Sequence, residues 1–330
     1  MRFVIYGAGA VGGAIGGRLF QSGHDVSLIA RGDHLAALQS DGLRLQWADG
    51  DETLPVPAVA NPSDIELTND DVVFLCMKTQ DTAGALAALH DSAPPGVAIV
   101  SAQNGVESER LALRHFANVY AMVVMLPATH LEPGHVIISS APLTGILDIG
   151  RYPTGSDGRA EEISKTLAAS TFSSAVDERV MRQKHAKLLM NLGNALQAAC
   201  GSGAEAGDIY RRLREEATAC YEAAGIDWAT DDEVRERRSG NRTLQPVAGQ
   251  GRQGSSTWQS LARGQGSVEA DYLNGEIVLL GRLHGVPTPA NETVRRLANS
   301  LAAEGRPPGT VPVEDVRRLI DEAGSSQAAG

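Results

Sequence analysis

Apolar residues follow two different rhythms along the chain. In the first half, short β-branched runs alternate with longer stretches of helical spacing. Phe3 to Tyr6 is such a run, and a helical pattern of Ala, Ile and Leu follows over about 10–21. Val26 to Ala30 arrives after Gly23-His24-Asp25. Val72 to Met77 and Val97 to Ser101 are the next strands, the latter introduced by Pro94-Pro95-Gly96. Strand–helix–strand alternation predicts a parallel sheet with helices on both faces, an α/β doubly wound sheet. Val119 to Met125, Val136 to Ser139 and Thr144 to Ile149 are expected to close that sheet on one side.

The texture changes near residue 175. From Glu178 onward Ala, Leu, Arg and Glu recur with helical spacing, and strand candidates are few. Helices are expected at about 178–200, 207–224, 231–240, 255–262, 268–284 and 290–303, punctuated by Gly225, Gly285 and the prolines 287 and 289. The division expected is therefore 1–175, a sheet domain, and 176–330, an all-helical domain. Residues 241–254 read as a polar, Gly-rich loop, long enough to suggest a function. The small, polar tail from Gly324 to Gly330 is expected to fray.

Composition narrows the function classes. The 330 residues carry 29 Lys+Arg against 40 Asp+Glu, a net charge of −11. Such a chain repels a phosphate backbone, so a nucleic-acid partner is not expected, although local basic pockets for small anions remain open. The 36 glycines follow no fixed period, which excludes collagen. Cys76, Cys200 and Cys220 lie far apart with no metal-binding spacing, so no metal is expected. No apolar run approaches the roughly 20 residues of a membrane span, and the N-terminus lacks a secretory signal. The expectation is a cytoplasmic protein without a membrane partner.

Gly7-Ala8-Gly9-Ala10-Val11-Gly12 is a GxGxxG. It follows a strand and opens a helix, the context in which the pattern specifies dinucleotide binding rather than a plain turn. The free amides and positive end of that helix suit a pyrophosphate. At the end of the second strand the chain reads Leu28-Ile29-Ala30-Arg31-Gly32. An NAD site would place an acid there; Arg31 instead suits the 2′-phosphate of NADP, by two parallel hydrogen bonds. A solvated surface arginine is the plain alternative. Lys78 and Asn104 each follow a strand, at the edge where open α/β sheets bind ligands.

In the helical half, Lys187, Asn191 and Asn194 recur at i, i+4 and i+7, so one helix would present them on one face beside apolar residues. The lysine reads either as a proton donor or as a snorkelling side chain with its head in water. Ser255-Ser256 begins a later helix. Glu269-Ala270-Asp271-Tyr272-Leu273-Asn274-Gly275 begins another, with acids that suit a helix start.

Taken in order, these pieces resemble the ketopantoate reductase (2-dehydropantoate 2-reductase) family over nearly the whole chain. The resemblance implies a Rossmann domain followed by a helical domain like the C-terminal domain of 6-phosphogluconate dehydrogenase, with the active site in the cleft between. It implies reduction of 2-dehydropantoate to (R)-pantoate by NADPH, yielding NADP+, in pantothenate and coenzyme A synthesis. Lys187 matches the family's catalytic lysine and Asn191 a substrate-binding Asn. Ser256, with Ser255 beside it, matches a substrate-binding serine. Glu269 matches a carboxylate that contacts the cofactor ribose and orders the cleft. Lys78 and Asn104 match the residues flanking the nicotinamide ribose. Two departures fall on the substrate side. The family's second Asn corresponds to Ala195, with Asn194 one residue early, and the segment after the serines is one residue longer, at Gly264-Gln265-Gly266-Ser267.

The implied chemistry asks the protein for binding, orientation and a proton. Lys187 would stabilise and protonate the oxygen that becomes negative, and Glu269 would favour its charged form. Two alternatives remain: an NADPH-dependent reductase of another 2-oxo acid or carbonyl compound, and a non-catalytic dinucleotide sensor. A sensor has no need of a proton donor, which argues against it. The partners expected are a small 2-oxo acid and, for assembly, a second copy in a homodimer.

Overall fold

In β1 (Phe3–Tyr6) the side chains alternate between two cores: Phe3 and Ile5 join one cluster, Val4 the other. That alternation is repeated in every central strand, so the sheet is buried on both faces. The computed structural model describes residues 1–240, 242–247 and 254–328, and residues cluster into two compact units. The first is Met1–Lys184 with Thr230–Arg252; the second is His185–Ala229 with Gln253–Gly330. This differs from a single division at 175/176. The segment from Thr230 returns to the first unit, because Arg237 Nε and Nη2 reach the Asp148 carboxylate at 2.7 and 2.5 Å.

Along the first unit run α1 (Ala10–Gln21), β2 (Val26–Ile29), α2 (Gly32–Ser40), β3 (Leu43–Trp47), β4 (Gly50–Leu54), β5 (Ala58–Val59) and β6 (Val72–Leu75). Next come α3 (Thr82–His90), β7 (Ala98–Ser101), α4 (Ser108–Leu113), β8 (Val119–Met125), β9 (Ala128–Thr129), β10 (His135–Ile138) and β11 (Ser140–Pro142). β12 (Gly145–Arg151), α5 (Gly158–Ala169) and β13 (Phe172–Ser173) follow, and α6 (Val180–Asn191) begins in this unit and continues into the second from His185. The main sheet has eight strands in the order β13-β12-β8-β7-β6-β1-β2-β5, parallel except where β12 meets β8. Helices α1 and α5 pack on one face, α3 and α4 on the other.

The strand expected at Val136–Ser139 exists as β10, but it does not close the main sheet. It joins a separate four-stranded sheet, parallel to β3 and antiparallel to β9. Its partner is the β3–β4 hairpin, whose half-polar strands hid it from a search for apolar runs.

The second unit holds α7 (Gly193–Cys200) and α8 (Gly207–Ala224). After α9 (Asp231–Arg238) and β14 (Arg242–Leu244) of the first unit, it continues with α10 (Ser256–Ala262), α11 (Asn274–His284), α12 (Pro289–Ala303) and α13 (Val313–Ala328). Of the predicted loop 241–254, residues 242–244 pair with β11 as β14, and 241 and 248–253 lie outside the described residues. The predicted helix over 178–200 breaks at Leu192 into α6 and α7. The one over 268–284 begins as a 3-10 turn at Glu269–Tyr272 and becomes α11 only after Leu273. The segment expected to fray from Gly324 is the last part of α13 as far as Ala328; earlier in that helix Val316 and Ile320 are buried on one face, and Arg317 reaches the Asp208 carboxylate at 2.9 Å. Residues 329–330 lie outside the described residues.

Candidate active site

The candidate residues fall into two sets, one on each unit. The first is set by strand register. Tyr6 pairs with Ile29 on one side and with Leu75 on the other, and Leu75 pairs with Ser101. Because these strands are parallel, their carboxyl ends share one edge. Gly7, Arg31, Lys78 and Asn104 all emerge there, within three residues of their strands. The chain order also reverses between β1 and β6, the switch point at which such sheets bind nucleotides.

The glycine loop is shaped by contacts no side chain would survive. Gly7 has φ +99°, and a Cβ there would lie 2.7 Å from the Met77 amide nitrogen. A Cβ on Gly12 would lie 2.1 Å from the Gly7 carbonyl oxygen. The turn is therefore drawn tight against β6, and Gly9 caps α1 without any side chain over its free amides. The space and free amides left here fit the pyrophosphate of a dinucleotide. Cys76 lies beneath the turn, and burial pushes its thiol up, so it packs rather than reacts.

Two residues that pattern reading missed hold this edge. The Gly134 amide donates to His34 Nδ1 at 2.9 Å, so the Nε2 proton is the one directed to the Ala8 carbonyl oxygen, 2.8 Å away inside the glycine loop. Gln103 donates from Nε2 to the Met77 carbonyl oxygen at 2.9 Å and to Thr82 Oγ1 at 2.8 Å. Arg31 is 83% exposed and pairs with Asp81 at 3.2 Å. A surface pair of this kind is weak, which leaves the guanidinium available to an anion. Burial pushes the Tyr6 phenol up, opposed by the Arg31 charge.

The second set surrounds the break at Leu192. Lys187 and Asn191 share α6 and Asn194 lies on α7, across Leu192, whose backbone stays in the right-handed helical region at φ −59° and ψ −28°. Gly193 is where Tyr210 packs: a Cβ would meet its ring at 2.3 Å. Asn191 is buried, and its Nδ2 has no hydrogen-bond partner among the described residues. The same holds for Ser256 Oγ. Ser255 is otherwise engaged. It caps α10 by accepting from the Trp258 amide at 3.3 Å and donates to the Asn194 carbonyl oxygen at 3.2 Å. The paired reading of the two serines thus separates into a structural Ser255 and a Ser256 with hydrogen-bonding capacity to offer. Glu269 is buried in its 3-10 turn and Lys187 is half-buried, each engaged by neighbouring groups. Ala195 is buried on α7. Among the described residues no cluster of His, Cys, Asp and Glu could hold a metal ion.

Comparison with known proteins adds an independent line. The family profile of ketopantoate reductase PanE/ApbA matches residues 3–153, and that of the ketopantoate reductase PanE/ApbA C terminal matches residues 179–302. A 2-dehydropantoate 2-reductase of Halobacterium salinarum is 26% identical over 92% of this chain and 100% of its own. The crystal structure of a PanE/ApbA family ketopantoate reductase from Ralstonia eutropha JMP134 is 32% identical with a TM-score of 0.78, covering 92% of this chain and 99% of that one. A D-mandelate dehydrogenase solved with NADH and anilino(oxo)acetate shares the fold at a TM-score of 0.79. It is 21% identical, covering 92% of this chain and 99% of its own.

Proposed function

Because the chain belongs to the ketopantoate reductase PanE/ApbA family, we propose that it reduces 2-dehydropantoate to (R)-pantoate with NADPH, as a step of pantothenate synthesis in the cytoplasm. Among the described residues no helix is long and apolar enough to cross a membrane. The observation that carries the substrate side is the pair of buried polar atoms without partners, Asn191 Nδ2 and Ser256 Oγ. A buried donor left unpaired costs about 1–3 kcal/mol, so a ligand that accepted from these two atoms would recover that cost.

When bound, the nicotinamide supplies the hydride for the C2 carbonyl. The chain's own part is binding and protonation. The amides at the start of α1 hold the pyrophosphate, Arg31 takes the 2′-phosphate, and Lys78 and Asn104 flank the nicotinamide ribose. Asn191 and Ser256 orient the 2-oxo acid. Lys187 donates from Nζ to the oxygen that becomes negative, and the Glu269 carboxylate favours its charged form.

One observation favours a second reading, reduction of a different 2-oxo acid: the family's second asparagine is replaced by the buried Ala195. The experiment is NADPH oxidation by the purified protein with 2-dehydropantoate, followed by absorbance. Turnover of that substrate supports the reading; turnover of other 2-oxo acids alone transfers it to the second.

A further inference from the structure

Lys184 lies on α6, three residues before Lys187, and is 3% exposed. Its Nζ forms an ion pair with Oε1 of Glu109, which is fully buried at the start of α4. Beyond that contact neither Glu109 carboxylate oxygen has a hydrogen-bond partner among the described residues. A buried pair of this kind is expensive to desolvate and is often replaceable by apolar residues without loss of stability. Its presence therefore asks for another explanation.

The geometry around the ammonium supplies one. Lys184 Nζ also donates to the Gln103 carbonyl oxygen at 3.0 Å. Gln103 immediately precedes Asn104-Gly105, and Glu109 follows them, so a single ammonium grips the loop on both sides. Gly105 turns that loop through φ +79°, a conformation with little rigidity of its own. The Gln103 side chain then extends the grip to a second loop. Its amide donates to the carbonyl oxygen of Met77, the residue before Lys78, and to Thr82 Oγ1 at the start of α3. Lys184 has no part in the roles assigned above, and Gln103 enters them only through its bonds to Met77 and Thr82.

We propose that Lys184 and Gln103 are positioning residues that hold the Asn104 and Lys78 loops in register for the nicotinamide cofactor. The inference rests on the reading of those loops as the cofactor edge. Lys184 acts through backbone and counter-ion, and Gln103 links the two loops. Misplacing a positioned group by about 1 Å can cost roughly 10²-fold.

The test separates positioning from stability. Lys184→Met alone strands the Glu109 carboxylate, so Lys184→Met/Glu109→Leu is the informative variant. It is expected to melt like the wild type while NADPH affinity, by fluorescence titration, falls about 10- to 100-fold and kcat falls with it. Gln103→Leu keeps the ion pair and is expected to show the same affinity loss; it decides the matter if the double variant does not fold. Wild-type affinity in a folded variant overturns the positioning role. Failure of the wild-type protein to bind any nicotinamide dinucleotide overturns the cofactor reading itself, a result in which the variants play no part.

Discussion

Asn274 Nδ2 donates to the Leu192 carbonyl oxygen at 3.0 Å, tying the start of α11 to the point where α6 gives way to α7. The same amide donates to Asn291 Oδ1, and Asn291 Nδ2 in turn donates to the Leu213 carbonyl oxygen and to Glu216. Both asparagines are fully buried. A polar chain through an otherwise apolar interior thus reaches the backbone at the junction between Asn191 and Asn194. Asn274→Leu removes two buried hydrogen bonds and leaves Asn291 Oδ1 without that donor. We expect a loss of about 1–3 kcal/mol in chemical denaturation and a raised KM, because Asn191 adjoins the break. Unchanged stability would show the network to be incidental.

Arg31 tests the cofactor. If its guanidinium holds the 2′-phosphate, Arg31→Ala should weaken NADPH roughly 10–150-fold and leave NADH nearly unaffected. Asp81 competes for the same guanidinium at 3.2 Å, so Asp81→Asn should tighten NADPH modestly. Equal wild-type affinity for the two cofactors in titration sinks this assignment.

Lys187 tests the proton. Lys187→Ala should lower kcat by about 10²–10⁴-fold with NADPH affinity unchanged, since the glycine loop and Arg31 are untouched. Retention of most turnover would make the lysine a structural residue and direct attention to Glu269 as the acid.

The adjacent serines should behave differently. Ser255→Ala removes the cap of α10 and should cost about 0.5–2 kcal/mol in stability. Ser256→Ala removes a hydroxyl without a protein partner, so stability should hold while the substrate KM rises. The reverse result would exchange their roles.

Substrate preference follows from the same two donors. A site that reads a hydroxyl rejects the analogue lacking it by up to about 10⁴–10⁵. We expect kcat/KM for 2-dehydropantoate to exceed that for 2-oxoisovalerate by orders of magnitude. Comparable values would mean that the hydroxymethyl group is not read.

The sequence alone determined whatever depends on neighbours in the chain. β1, the glycine turn and α1 are set within about twenty residues by alternation, by Gly7 and Gly12, and by helical spacing, and they appear where the pattern puts them. Arg31, Lys78 and Asn104 were visible because parallel strands deliver their ends to one edge. Tertiary structure decided the rest. β10 was legible as a strand, yet its sheet depended on the β3–β4 hairpin about ninety residues earlier. At Leu192, where α6 gives way to α7, Tyr210 lies against Gly193 and Asn274 donates to the carbonyl, contacts that helical periodicity does not encode. Ser255 and Ser256 look alike in sequence, and only their partners distinguish them. Lys184 reads as an ordinary helical lysine until Gln103, eighty-one residues away, is brought to its ammonium. The physical reason is common to these cases. Local propensity acts through the backbone of adjacent residues, whereas a buried charge or amide takes its role from whichever groups the fold places against it.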